Sequence, residues 1–162
     1  MSGESKYTFL EVKAKLEALC AYQERCSFEL EQKMIRWGVP QDDRDALLAH
    51  LISHNFLSEE RFAEAFVSGK FRIKKWGRIK IKSGLKQKRI SDYSINKGLA
   101  FIDDEAYWDQ LVELADRKLT LLSGAEDDYP TRVKLYRFLN GRGYEQSLVK
   151  EAVEEVFNQR GS

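Results

Sequence analysis

The sequence predicts an all-α protein of three tandem three-helix units, stacked into an elongated, curved, solenoid-like array. Three observations carry this prediction. Apolar residues recur at helical spacing almost throughout, as Phe9, Val12, Leu16 and Leu19 do near the start. β-Branched residues are scattered, and no stretch sustains the period-two alternation of a strand. The apolar pattern also repeats. Leu30, Met34, Val39, Leu48 and Leu51 return 51 residues later as Ile81, Leu85, Ile90, Leu99 and Ile102. A further 54 residues on they return as Leu135, Leu139, Tyr144, Val153 and Val156. Gly38 and Gly143 fall at one point of the first and third copies, with Arg89 at that point of the second. The units are placed at 8–54, 58–102 and 104–159. A unit this small buries little core alone, so neighbours must stack.

Each helix has its own local signal. Thr8 with Glu11 is a capping box for the first. Phe28 to Arg36 forms the second, with Ser27 as its cap and Gly38 beyond its end. Pro40 is placed in the first turn of the third, whose Leu47, Leu48 and Leu51 face inward. Ser58 caps the fourth, and Glu59 and Glu60 lie in its first turn, where the helix field favours acids. Ile79 to Gln87 forms the fifth, and Ser91 or Asp92 opens a sixth that runs to about Phe101. Asp103 and Asp104 open the seventh, with Tyr107, Leu111, Leu114 and Ala115 inward. A polar break from Ser123 to Asp128 precedes Pro130, near the start of the eighth. Leu148, Val149, Val153 and Val156 mark the ninth.

Composition narrows the function. The chain has 162 residues, 43% of them hydrophobic and 33% charged, which suits a folded, water-soluble protein. No apolar run approaches the roughly 18–20 residues that cross a bilayer, so no membrane partner is expected. Met1 to Lys6 is polar and lacks the apolar stretch of a signal peptide, which sets the expected compartment as the cytoplasm. Cys20 and Cys26 match no redox or zinc spacing. His50 and His54 stand four apart, but no third histidine or nearby cysteine completes a metal set. No serine lies in a nucleophile elbow. The expectation is a non-catalytic protein without cofactor or metal, acting as a monomer.

The net charge of +1 conceals a strong asymmetry. Residues 1–69 hold 8 basic and 12 acidic side chains, and residues 90–162 hold 9 and 14. Between them stand ten basic residues and no acid: Lys70, Arg72, Lys74, Lys75, Arg78, Lys80, Lys82, Lys86, Lys88 and Arg89. Such a block attracts an anionic polymer or an acidic protein surface. Lys75, Arg78, Lys82 and Lys86 fall on steps of three or four, which reads as a stripe along the fifth helix opposite Ile81 and Leu85. Phosphates along a nucleic-acid backbone would suit that stripe. Phe71 and Trp76 flank it, and read first as core filling between the fourth and fifth helices, or else as a base-stacking surface. Gly77 permits a tight turn or a close helix approach. A weaker basic cluster comprises Arg132, Lys134, Arg137 and Arg142. It either extends the binding surface or is a solvated face balanced by Glu151, Glu154 and Glu155.

These motifs resemble the RecX family of bacterial recombinase regulators. The resemblance rests on Phe62-Ala63-Glu64-Ala65-Phe66-Val67, which leads into Phe71-Arg72-Ile73-Lys74-Lys75-Trp76-Gly77. It continues through Arg78-Ile79-Lys80-Ile81 to Leu85-Lys86-Gln87-Lys88-Arg89-Ile90, and covers the chain from about Tyr22 to Phe157. It implies three tandem three-helix units and binding to the RecA recombinase filament on DNA. It further implies inhibition of recombinase and strand-exchange activity, and in some members direct binding of single- or double-stranded DNA. Arg44 departs from the pattern, standing where Ile95 and Val149 stand in the later copies. The rival from another class is a nucleic-acid-binding helical module without a protein target.

Overall fold

The structure is a computed structural model that describes residues 5–122 and 126–161. Met1 to Glu4, and Ser123, Gly124 and Ala125 of the expected polar break, lie outside the described residues. Within them the chain is all-helical: α1 (Phe9–Tyr22), α2 (Ser27–Arg36), α3 (Gln41–Ser53), α4 (Glu59–Arg72), α5 (Arg78–Gln87), α6 (Asp92–Leu99), α7 (Asp104–Leu121), α8 (Tyr129–Gly141) and α9 (Gln146–Gly161).

Helix starts follow side-chain chemistry. Thr8 and Glu11 exchange both bonds of the expected capping box, Glu11 N to Thr8 Oγ1 at 3.2 Å and Thr8 N to Glu11 Oε1 at 3.0 Å. Asp103 and Asp128 cap α7 and α8 by accepting from the amides of Ala106 and Thr131, each at 2.9 Å. Four boundaries differ from expectation. Cys26, not Ser27, is the N-cap of α2, because Glu29 reaches back to the Cys26 amide at 3.3 Å. Pro40 precedes α3 with extended backbone rather than entering its first turn. The fifth helix starts one residue early, at Arg78. The sixth ends at Leu99, leaving Phe101 outside it and exposed.

Helix ends show the repetition most clearly. Gly38, Arg89 and Gly143 all adopt left-handed backbone, with φ of 77°, 60° and 94°. The same pair of bonds closes each turn. The amides of these three residues donate to Ile35, Lys86 and Asn140. The next amides, Val39, Ile90 and Tyr144, donate to Met34, Leu85 and Leu139. This is a Schellman motif, and its customary apolar contact joins those last pairs. Glycine takes such a φ without penalty, whereas Arg89 carries a Cβ against the following carbonyl.

The chain divides into two compact units, Met1–Ala65 with Leu85–Lys97, and Phe66–Gly84 with Gly98–Ser162. In the first, Val12, Leu16, Leu30, Met34, Leu47 and Leu51 form the core, edged by Tyr7, Trp37 and Phe56. His50 is held by Glu17 at 2.9 Å. Arg44, the departure from the repeat, turns its guanidinium to the Val39 carbonyl at 2.7 Å instead of entering the core. Glu59 accepts from Ser91 Oγ at 2.8 Å and Ser94 Oγ at 2.7 Å, joining the starts of α4 and α6. In the second unit α7 packs on both α8 and α9. Tyr107, Leu111, Leu119, Leu135, Leu139 and Val153 are among its fully buried side chains.

Candidate functional site

The basic block runs from the last turn of α4 through a short turn and along α5. Chemistry within the second unit fixes that turn. Gly77 N donates to the Arg142 carbonyl at 2.8 Å, and Ile79 N donates to the Gly143 carbonyl at 2.9 Å. A Cβ on Gly77 would stand 2.4 Å from the Gly143 oxygen, so the backbones touch only because no side chain intervenes. Of the two roles expected for Gly77, close approach is the one observed. The guanidinium of Arg142 donates to the Lys74 carbonyl, and Tyr144 Oη donates to the Lys75 carbonyl at 3.0 Å.

Arg78 is the centre of this clasp. Its guanidinium meets Glu145 at 2.9 Å and Asp104 at 2.7 Å, and lies 3.8 Å above the Tyr107 ring. The Tyr107 hydroxyl accepts from the Arg78 amide at 2.9 Å and donates to Glu145. Burial pushes the Glu145 carboxyl up, but the bonds from Tyr107 and Arg78 outweigh it and hold the group below the ordinary carboxylate value. Burial raises the Tyr144 hydroxyl to about 12. Both phenols therefore stay protonated hydrogen-bonding groups at neutral pH.

This geometry sorts the block. Lys75 does not belong to a stripe on α5, because it lies in the turn before it, exposed and left-handed at φ 59°. Arg78 is taken up by internal contacts. Lys88 pairs with Glu29 at 3.1 Å within the first unit, and exposed Lys86 stands 3.9 Å from Asp92. The other seven cations have no carboxylate within 4.0 Å among the described residues: Lys70, Arg72, Lys74, Lys75, Lys80, Lys82 and Arg89. Arg72, Lys74 and Lys75 are exposed together at the end of α4 and in the turn.

The aromatic residues divide in the same way. Phe71 stacks on Tyr107 at 6.0 Å, so its partner is α7 rather than α5. Trp76 is half-buried, edge-on to Phe66, with Lys70 Nζ at 4.8 Å and Lys80 Nζ at 4.7 Å from its ring centre. Phe62, Ile81, Leu85 and Ile90 are buried. The second basic cluster does not act as one. Arg132 is held by Asp127 and Glu154, both at 2.6 Å, Arg142 belongs to the clasp, and Lys134 and Arg137 are exposed. Sequence reasoning missed Glu145, Tyr107 and Tyr144 as partners of the block. The one local signal is that Tyr144 and Glu145 directly follow the turn glycine, Gly143.

Helices ended by one recurring Schellman turn, with a cation-rich turn between α4 and α5 held by Arg142, Tyr144 and Glu145, define an all-helical repeat protein with a basic surface. The model of the second three-helix domain of RecX matches residues 58–99, and that of the third matches residues 104–153. Regulatory protein RecX of Chlorobium phaeobacteroides (strain BS1) is 30% identical over 139 residues, which span 86% of this chain and 89% of that protein. Regulatory protein RecX of Clostridium botulinum (strain Eklund 17B / Type B) is 34% identical over 131 residues, 80% of this chain. The chain spans 61% of the length of that clostridial relative. The crystal structure of RecX from Lactobacillus salivarius superposes with a TM-score of 0.80 at 20% identity, covering 91% of this chain and 96% of that one. The chain belongs to the RecX family of regulatory proteins.

Proposed function

We propose that the chain is a non-catalytic modulator of the RecA recombinase, inhibitory in direction, which docks on the RecA–DNA filament. Family membership supports the regulatory role, and one observation supports the docking surface. Lys70, Arg72, Lys74, Lys75, Lys80 and Lys82 cluster within 13 residues of one unit without a neutralising carboxylate among the described residues. Cations left unpaired in a chain otherwise rich in acids favour an anionic partner. The three units at 8–54, 58–102 and 104–159 serve in this reading as successive footholds, and the chain acts as a cytoplasmic monomer. Arg78 holds the basic turn in place and does not itself meet the filament.

The test is a titration against RecA filaments preassembled on single-stranded DNA, with bare DNA in parallel, reading ATP turnover and complex formation. Inhibition far below the concentration that binds bare DNA supports the proposal. Equal affinity for bare DNA, with turnover changed only by competition for strand, replaces it with the nucleic-acid-binding module. The observation favouring that second reading is Trp76, an aromatic ring set between Lys70 and Lys80.

A further inference from the structure

The basic turn between α4 and α5 carries one side chain that neither the core nor the cations explain. Ile73 is 78% exposed, with Arg72 before it and Lys74 and Lys75 after it, all three exposed as well. Single apolar residues on a surface are ordinary, so exposure alone says nothing. The setting says more. Solvated turns favour Gly, Pro, Asn, Asp and Ser, and a β-branched aliphatic residue has no local reason to stand in one. The turn is also fixed from both sides. Ile73 N donates to the Gly69 carbonyl at 2.9 Å, and Trp76 N donates to the Lys70 carbonyl at 3.0 Å. Arg142 and Tyr144 hold the carbonyls of Lys74 and Lys75. Under these bonds Lys75 keeps its left-handed φ of 59°, a strain that persists only where the surrounding structure over-determines it.

We infer that Ile73 is the apolar anchor by which this turn docks on the protein surface of the filament, in a pocket rimmed by carboxylates. The inference rests on the proposed docking and names which chemistry of the filament the turn meets. An aliphatic side chain offers a phosphate no donor and a base no flat ring to stack on. A pocket on a protein can bury it, while Arg72, Lys74 and Lys75 reach acids at the rim. Those three cations have no carboxylate within 4.0 Å among the described residues, so they are available for that role. A buried apolar centre within a polar, water-excluding border is the usual anatomy of a protein interface. In it the cations steer the encounter and set its register, and the isoleucine holds the docked state. Because the turn is fixed beforehand, little ordering opposes binding.

The experiment titrates the parent chain, Ile73→Lys and Ile73→Ser against recombinase filaments on single-stranded DNA, and against the same DNA bare, across a salt series. A turn that met phosphates would bind the filament more tightly with one more cation. For an anchor, Ile73→Lys should instead weaken filament binding about tenfold or more, the effect of no longer burying one isoleucine. Its binding to bare DNA should hold or rise. Ile73→Ser should lose as much on the filament with the salt slope unchanged, since no cation is removed. The side chain is exposed, so thermal melts should match the parent, and should one variant melt early the other carries the comparison. Filament binding by Ile73→Lys equal to or tighter than the parent's overturns the anchor and leaves filament docking standing. An equal loss by Ile73→Ser on bare DNA and on the filament assigns the contact to the strand and also overturns it. No filament binding by the parent chain overturns the docking proposal, and this inference with it.

Discussion

Arg78 and Glu145 stand 67 residues apart in sequence and 2.9 Å apart in the fold. The ion pair takes one member of a ten-cation block out of the proposed docking surface and makes it the fastener of the basic turn. Because Tyr107 lies under the guanidinium and donates to the same carboxylate, the contact works as a network rather than a lone bridge.

Glu145→Gln should lower stability by about 2 kcal/mol, since it removes the charge from two hydrogen bonds in a half-buried site. The pH dependence follows from the depressed Glu145 value. A carboxylate whose folded value lies below its unfolded one stabilises the fold fully above the ordinary value of 4.5, and that contribution disappears as pH falls through the folded value. Melting temperatures of the parent and Glu145→Gln should differ steadily above the ordinary carboxylate value of 4.5 and converge as pH falls through the lowered folded value. A gap that stays constant into acid would contradict the role given to this carboxylate.

Gly77→Ala should destabilise by about 2–3 kcal/mol, because the new Cβ meets backbone atoms of Gly143 and Tyr144 that cannot move aside. Gly143→Ala combines a clash against Lys80 with a left-handed φ of 94° and should be at least as damaging. Gly141→Ala meets nothing within 4 Å and should be neutral or slightly stabilising. Denaturant midpoints for the three variants give the order directly.

Lys75 occupies the left-handed region at φ 59°, where a side chain is strained. Lys75→Gly should therefore raise stability by about 1 kcal/mol while weakening filament binding. A gain in melting temperature with undiminished binding would remove Lys75 from the proposed surface.

Reversal of Arg72 and Lys74 together, both exposed and free of carboxylate partners among the described residues, should reduce filament affinity about tenfold or more with the melt unchanged. Arg78→Glu should instead lower the melting temperature sharply, so loss of binding in that variant would report a broken clasp. Parallel melts and filament titrations separate the two effects.

By itself the sequence determined much of what rests on neighbours along the chain, although four helix boundaries, among them the Cys26 cap of α2, differ from the sequence reading. Thr8 with Glu11, and Asp103 before α7, mark helix starts because a cap acts over three residues. The repeat of Met34–Val39, Leu85–Ile90 and Leu139–Tyr144, with Gly38, Arg89 and Gly143 at one point, marked a shared turn, and the structure closes that turn as a Schellman motif within six residues. The density of the basic block was equally plain. Tertiary structure alone decided which of those cations remain available. Lys75 and Arg78 sit three apart and look equivalent in sequence, yet one is exposed in a strained turn and the other is bound by Glu145, Asp104 and Tyr107. Charge pairing acts through space over a few ångströms, so a carboxylate 67 residues away decides the fate of Arg78 while leaving no mark on the residues around it.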